Sequence, residues 1–439
     1  MGASCGWRKS SGRDSRCRKR ESRADSHAVE GVIGLEHDRH LTSPTRIAFT
    51  LAVSRGFSAL GGQIALTILP VIVYLISHSL AQAGLVLGAR LLISTISTPI
   101  SGVFADRMNQ KTLMLASNCA RIALFALMAQ LHSIPLLAIL IAIAAVGGML
   151  EATSVASLTP KIVRAAELPR ANAILSSALN LAFIGGPLLS GVLVARFSAH
   201  WGFYAAALTQ VIALLATMTL PSHPRDETVS AQTKNVTSQL FDGLTFAFQD
   251  RFLTLMLTVY SVFILGLTAF NVLAVGLSYH FHMSGYGYGI LIAAQGAGML
   301  IVTFLSAKWI KTSSIVPLFL INMPIQGLSI LAIALSKSFL LCVFFAFFQG
   351  VGWGMEQASV MTVLQMRIPS ALQGRTIGLF FSALSIAETV GVILFGWLGG
   401  QIGDAAALAT AGLLSTVFAI LAIFLLRPHL RDVNVDAAH

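Results

Sequence analysis

Charge is what this sequence has least of. Only 11% of its 439 residues are Asp, Glu, Lys or Arg, where a soluble domain usually carries about 25%. That shortage excludes a chain whose side chains mostly meet water. Cysteine is equally scarce: Cys5 and Cys17 lie in a basic N-terminal stretch, and Cys119 and Cys342 lie in apolar runs. Their spacing fits neither a metal cluster nor a disulfide framework. There is no G-x-x-x-x-G-K-[ST] loop, which excludes direct drive by ATP. His280 and His282 have no evident third ligand and read as edge residues, so no metal and no cofactor are expected. With no nucleophile–base pair either, the chain is not expected to be an enzyme. The N-terminus has basic residues but no apolar run for about 25 positions after them, so it is not read as a signal peptide.

What fills the sequence instead is apolar: 55% of residues are hydrophobic. The apolar runs lie at about 47–75, 81–104, 112–131, 135–158, 171–195 and 200–220, then at 252–279, 287–307, 314–335, 338–362, 376–398 and 405–426. Each has roughly the 20 residues a helix needs to cross a bilayer. The expected fold is an all-α membrane protein with twelve transmembrane helices.

The net charge of +11 would suit nucleic acid, but its distribution argues against that partner. Arg8, Lys9, Arg13, Arg16, Arg18, Lys19, Arg20, Arg23, Arg39 and Arg46 all precede the first apolar run. Most other cations fall in every second loop: Arg107 and Lys111; Lys161, Arg164 and Arg170; Arg225, Lys234 and Arg251; Lys308 and Lys311; Arg367 and Arg375; Arg427 and Arg431. The alternate loops hold only Arg196 and Lys337. By the positive-inside rule both termini are cytoplasmic and the number of crossings is even. Residues 1–46 then read as a disordered cytoplasmic tail. Contact with anionic lipid, or a start site assigned too far upstream, would also account for it.

The chain repeats itself at an offset of 205 residues. Val146-Gly147-Gly148-Met149-Leu150-Glu151 falls on Val351-Gly352-Trp353-Gly354-Met355-Glu356, matching at the Val, the first Gly and the Glu. Without a gap, Arg170 meets Arg375, Gly186 meets Gly391, Gly191 meets Gly396, Arg46 meets Arg251 and Gly84 meets Gly289. Shared Glu, Arg and Gly positions at one offset are hard to obtain from apolar composition alone. The expected organisation is two pseudo-symmetric six-helix halves, 47–220 and 252–427, joined by a cytoplasmic linker at 221–251, with a short tail at 428–439.

The loop after the second run, Gly102-Val103-Phe104-Ala105-Asp106-Arg107-Met108-Asn109-Gln110-Lys111, resembles the cytoplasmic signature of the major facilitator superfamily, G-x-x-x-D-R/K-x-G-R/K-R/K. Gly102, Asp106, Arg107 and Lys111 match, while Asn109 and Gln110 depart from it. The resemblance implies a gating role for these residues, with Asp106 latching the two halves through Arg375. The second half carries Lys311 where the first has Asp106, so the latch is expected on one side only. The fifth run, Ala182-Phe183-Ile184-Gly185-Gly186-Pro187-Leu188-Leu189-Ser190-Gly191, resembles the antiporter signature of that superfamily, with Gly186, Pro187, Ser190 and Gly191 as its core. The likeness spans about 47–427. Leu168-Pro169-Arg170-Ala171-Asn172-Ala173 and Gln373-Gly374-Arg375-Thr376-Ile377-Gly378 place it nearest the drug and siderophore efflux branch, which includes macrolide and enterobactin exporters.

Ionisable residues inside apolar runs cost several kcal/mol unless paired or hydrated, so they are candidates for function. They are Arg55, Arg90, Arg121, Glu151, Glu356 and Glu388. The superfamily fold implies that Arg55, Glu151, Asn271 and Glu356 lie near a substrate path. Glu388, mid-way along the eleventh run, suits a proton carrier. For Glu151 the competing reading is a structural pair with Arg107 or Arg121. The resemblance thus implies a secondary transporter in a bacterial inner membrane, a monomer that exports a drug-like compound or siderophore by proton antiport and alternating access. Its partners would be a small-molecule substrate, protons and membrane lipid. An importer or facilitator on the same fold is the first alternative, and a non-transporting sensor or scaffold the second.

Overall fold

A computed structural model describes residues 44–163, 167–221, 249–309, 315–368 and 373–436. The basic tail, most of the linker and the side chains of Asp106, Arg107 and Arg375 lie outside the described residues. The described chain is helical: α1 (Pro44–Ser77), α2 (Leu80–Arg107), α3 (Gln110–Met128), α4 (Ile134–Ile162), α5 (Leu168–Arg196), α6 (Ala199–Met218), α7 (Arg251–Leu267), α8 (Phe270–His280), α9 (Ser284–Trp309), α10 (Ile315–Ala334), α11 (Phe339–Arg367), α12 (Gln373–Ile402) and α13 (Asp404–Asp436). Helix is the form that satisfies every backbone N–H and C=O within one segment, which a lipid environment demands. Polar residues mark where helices begin. The side chains of Ser79, Asn109 and Ser338 accept from the backbone N–H of Gln82, Thr112 and Leu341, and Asp250 accepts from Phe252 and Leu253. His78 and His282 form left-handed turns, with φ of 51° and 57°.

Eleven stretches among the described residues are long and apolar enough to cross a membrane, with α7 and α8 together making one. The expected count of twelve rests on α10, whose apolar part, Leu318–Ala334, is shorter. Large apolar side chains such as Leu85, Ile96, Leu181, Leu208, Leu340 and Phe424 point outward. This is the surface a lipid-facing bundle needs.

The 205-residue offset is built into the helices. α3, α4, α5 and α6 start at 110, 134, 168 and 199; α10, α11, α12 and α13 start at 315, 339, 373 and 404, each 205 later. Corresponding contacts recur as well. Gln210 Nε2 donates to Ser58 O at 3.0 Å, and Ser415 Oγ donates to Phe263 O at 3.0 Å. Gly61 lets α1 pack on Thr209 and Gln210 of α6; Gly266 lets α7 pack on Ala411 and Ser415 of α13. Lipid supplies no hydrophobic drive between helices, so small residues and buried hydrogen bonds hold each six-crossing set together.

The two sets meet at the end away from the chain termini. A Cβ at Gly191 on α5 would come 2.9 Å from Gly289 Cα on α9; one at Gly396 on α12 would come 3.0 Å from Gly84 Cα on α2. Tyr74 and Tyr279, themselves 205 residues apart, pair there with ring centroids 4.9 Å apart. Gly102 and Gly378 lie 18 residues, or about five helical turns, from Gly84 and Gly396 and so share their helix faces. Neither has a described neighbour within 4 Å of a Cβ. α2 and α12 therefore touch at the far end and diverge toward the terminus end.

Candidate functional site

Between the two sets lies a cavity of about 390 Å³, lined by α1, α2, α5, α7, α8, α9, α10, α11 and α12. Its charged lining residues are Glu356 on α11 and Glu388 on α12. Around them stand the amides of Gln63, Asn271, Gln295, Gln326 and Gln349, the rings of Tyr288, Trp353, Phe183 and Phe381, and aliphatic side chains. No Lys, Arg or His is among the described lining residues.

Local chain chemistry shapes these walls. Pro187 has no N–H to offer the carbonyl of Phe183, four residues earlier, and both residues line the cavity. The rest of the antiporter-like motif is spent on packing. A Cβ at Gly186 would strike Gln63, Ser190 Oγ donates to Gly186 O at 2.8 Å and to Ile64 O at 3.3 Å, and Gly191 meets Gly289. The motif thus seats α5 on α1 and on α9 while presenting Pro187 to the cavity. The crossing expected at 252–279 is broken between α7 and α8. Asn271 N donates to Thr268 O at 3.1 Å and Val272 N to Ala269 O at 3.2 Å, a tightened turn. Thr268 and Asn271 line the cavity at this break. It contains neither Gly nor Pro, and the sequence carried no signal for it.

Glu151 and Glu356 occupy equivalent places in the repeat, and the structure treats them oppositely. Glu151 is fully buried inside the first set. Its Oε2 accepts from Ser58 Oγ, lies 3.2 Å from Arg121 Nη1 and 3.9 Å from Arg55 Nη1. Arg121 also donates to Ser58 Oγ at 2.6 Å and to Ser58 O at 3.2 Å, and stacks over Phe125. Gly62, Gly147 and Gly148 leave room for this guanidinium: a Cβ at each would lie within 4.0 Å of it or of its stem. Arg55 and Glu151, expected near the substrate path, do not line this cavity. Arg121 is the structural partner anticipated for Glu151.

In the second set the same offsets place Gln326 where the first has Arg121, and Tyr260 where it has Arg55. Gln326 Nε2 donates to Glu356 Oε2 at 2.9 Å. The buried Tyr260 hydroxyl lies near Glu356 and has no hydrogen-bond partner among the described residues. Gln326 and Tyr260 are both neutral. Arg90 on α2 acts on the charge of Glu388 from beyond ion-pair distance, and its buried Nε has no hydrogen-bond partner among the described residues.

Of the cytoplasmic motif, Gly102 stands on the open face of α2. Lys111 Nζ donates to the carbonyls of Met218, at 2.9 Å, and Leu220, at 2.5 Å, which cap the end of α6. A cation at a helix C-terminus suits both the orphan carbonyls and the helix dipole. The latch expected between Asp106 and Arg375 falls on side chains outside the described residues. At the same end, Arg367 Nε lies 3.2 Å from Asp250 Oδ2, tying the end of α11 to the start of α7.

Comparisons with known proteins agree with this architecture. The family described as Major Facilitator Superfamily matches residues 51–275 and 256–438. The chain is 28% identical over 374 residues to "Enterobactin exporter EntS" of Citrobacter koseri, covering 81% of this chain and 86% of that protein. It is 27% identical over 370 residues to the Escherichia coli protein of the same name, with the same coverage. Among solved structures, a variant of the nucleoside transporter NupG superposes with a TM-score of 0.72 at 14% identity, over 86% of this chain and 99% of that one. A D-xylose-proton symporter superposes at 0.66 with 13% identity, over 85% and 96%.

Proposed function

This chain belongs to the major facilitator superfamily and is a multi-pass membrane transporter, and on that premise we propose that it exports a small molecule, a drug-like compound or a siderophore, by proton antiport. The observation that carries the reading is the cavity between the two sets, with Glu356 and Glu388 in its wall. The names of the relatives support the direction of transport. The alternation of Lys and Arg supports cytoplasmic termini, and the bacterial relatives support a location in the inner membrane. The end at which α2 and α12 diverge then faces the cytoplasm, and the glycine contacts close the outside. Protons and lipid are its other partners, and one chain suffices.

The coupling follows from desolvation. An ionised carboxylate is costly to enclose without water or a partner. A cavity holding an ionised Glu356, with only a neutral amide donating to it, resists closing on both sides. Either a proton or a bound substrate removes that cost, so the loaded forms change over and the empty, charged form does not. Alternation of the two loads is antiport. Glycine contacts on the outer side open as the sets rock about the cavity, and the α2–α12 faces bearing Gly102 and Gly378 come together on the inner side.

The test is accumulation of a panel of dyes, antibiotics and siderophores in an efflux-deficient bacterium expressing the chain. Lower accumulation of at least one compound, restored by a protonophore, is the expected result. Raised accumulation on expression would overturn export in favour of import. Unaltered accumulation of every compound would favour a non-transporting role.

A further inference from the structure

We infer, resting on the transport reading above, that Glu356 is the counter-ion for an organic cation, so that the substrate is a monocationic aromatic amphiphile and not an anionic catecholate. The argument is a comparison of the molecule with itself. In the first set the carboxylate at this place in the repeat is neutralised internally: Arg121 lies 3.2 Å and Arg55 3.9 Å from Glu151 Oε2. In the second set the equivalent residues are Gln326, which donates to Glu356 Oε2 at 2.9 Å, and Tyr260; neither carries a charge to neutralise it. The carboxylate has been kept and its cations have been removed.

The space around the missing guanidinium has changed in the same sense. Gly62 and Gly148 beside Arg121 correspond, 205 residues on, to Leu267 and Trp353, and both of these line the cavity. A buried structural pair has become a cavity wall of carboxylate, indole and aliphatic surface. Phe183, Phe381 and Tyr288 extend that wall. An aromatic wall around an anion attracts a desolvated cation through both ion pairing and the negative ring faces. The second carboxylate, Glu388, feels the charge of Arg90 from beyond ion-pair distance, whereas Glu356 has no described cation acting on it. An anionic ligand would face two carboxylates and no described basic lining residue.

Binding of tetraphenylphosphonium to the purified, full-length protein tests this, because that cation carries no proton to lose. Wild type is expected to bind it and to release a proton to a weakly buffered medium on binding at acidic pH. Glu356→Gln is expected to bind it at least tenfold more weakly and to release none. Gln326→Arg, which restores the first set's internal cation and has the cavity to extend into, is expected to weaken binding by a similar factor. Size-exclusion behaviour and thermal melting monitor the fold of both variants. Wild-type affinity in Glu356→Gln, or tighter binding of 2,3-dihydroxybenzoate than of the phosphonium, would overturn the inference. Protonophore-sensitive export of neutral compounds by a protein that ignores the phosphonium would overturn it while leaving the transport reading in place.

Discussion

Gly191→Leu and Gly396→Leu are each expected to abolish most transport while leaving the protein in the membrane. At these positions a side chain meets the backbone of the other set: Gly289 Cα, C and O in one case, Gly84 Cα and Leu80 O in the other. Backbone cannot rotate out of the way as a flexible side chain can. Overpacking a close contact costs about 1–3 kcal/mol, which shifts the equilibrium away from the outer-closed form by roughly fivefold to 150-fold. The damage falls on one state of the cycle, since each glycine's neighbours across the contact belong to the opposite six-crossing set. A cysteine replacing Ser385 in the cavity wall, in a chain lacking its native cysteines, should then react faster with an impermeant thiol reagent supplied from the side opposite the termini. Wild-type transport in both leucine variants would show that this contact is no gate.

Arg121→Ala and Glu356→Gln are expected to fail in opposite ways. Removing Arg121 strands a fully buried Glu151 with Arg55 at 3.9 Å as its remaining cation. Breaking one side of a buried pair costs about 3–5 kcal/mol, a large share of the roughly 5–15 kcal/mol that holds a typical domain folded. The variant should be recovered in low yield and melt well below wild type. Replacing both partners, Arg121→Leu with Glu151→Leu, should restore part of that loss. Glu356→Gln should instead melt near wild type, because the amide carbonyl still accepts from Gln326. Proton-coupled transport should be lost in the same variant. Equal melting and equal transport across the three variants would contradict the division of labour between the two repeat copies.

Much of this was readable before any coordinates. The apolar runs gave the helices, and the offset of 205 gave their register, because matched Glu, Arg and Gly positions survive in a chain that is otherwise free to drift among apolar residues. Four of the glycines matched by that offset were legible as special but not as partners. Sequence aligns Gly84 with Gly289 and Gly191 with Gly396, whereas the structure crosses them, Gly84 with Gly396 and Gly289 with Gly191. A repeat reveals equivalence, and contact across a pseudo-twofold joins non-equivalent members.

The candidate site was half legible. Glu356 and Glu388 were found as charges in apolar runs, and both line the cavity. Glu151 was found by the same rule and lies in an ion pair, because its fate depends on a residue thirty positions away that is Arg121 in one copy and Gln326 in the other. Applying the offset to the neighbours as well as to the acids would have separated the two. Lys111 fits the gating signature by spacing, yet its ammonium caps α6. The break at Thr268 and Ala269 could not be read, since neither residue is a helix breaker and the distortion arises where the chain packs. There Gly391 fits against Leu265 and Thr268.

The most direct measurement is proton movement in proteoliposomes containing the full chain, a pH dye inside, and a compound that the protein removes from cells. The account predicts that the compound and protons cross in opposite directions, that an imposed pH gradient drives the compound uphill, and that Glu356→Gln stops both fluxes. Movement of the compound at the same rate without a gradient and without proton flux would contradict it.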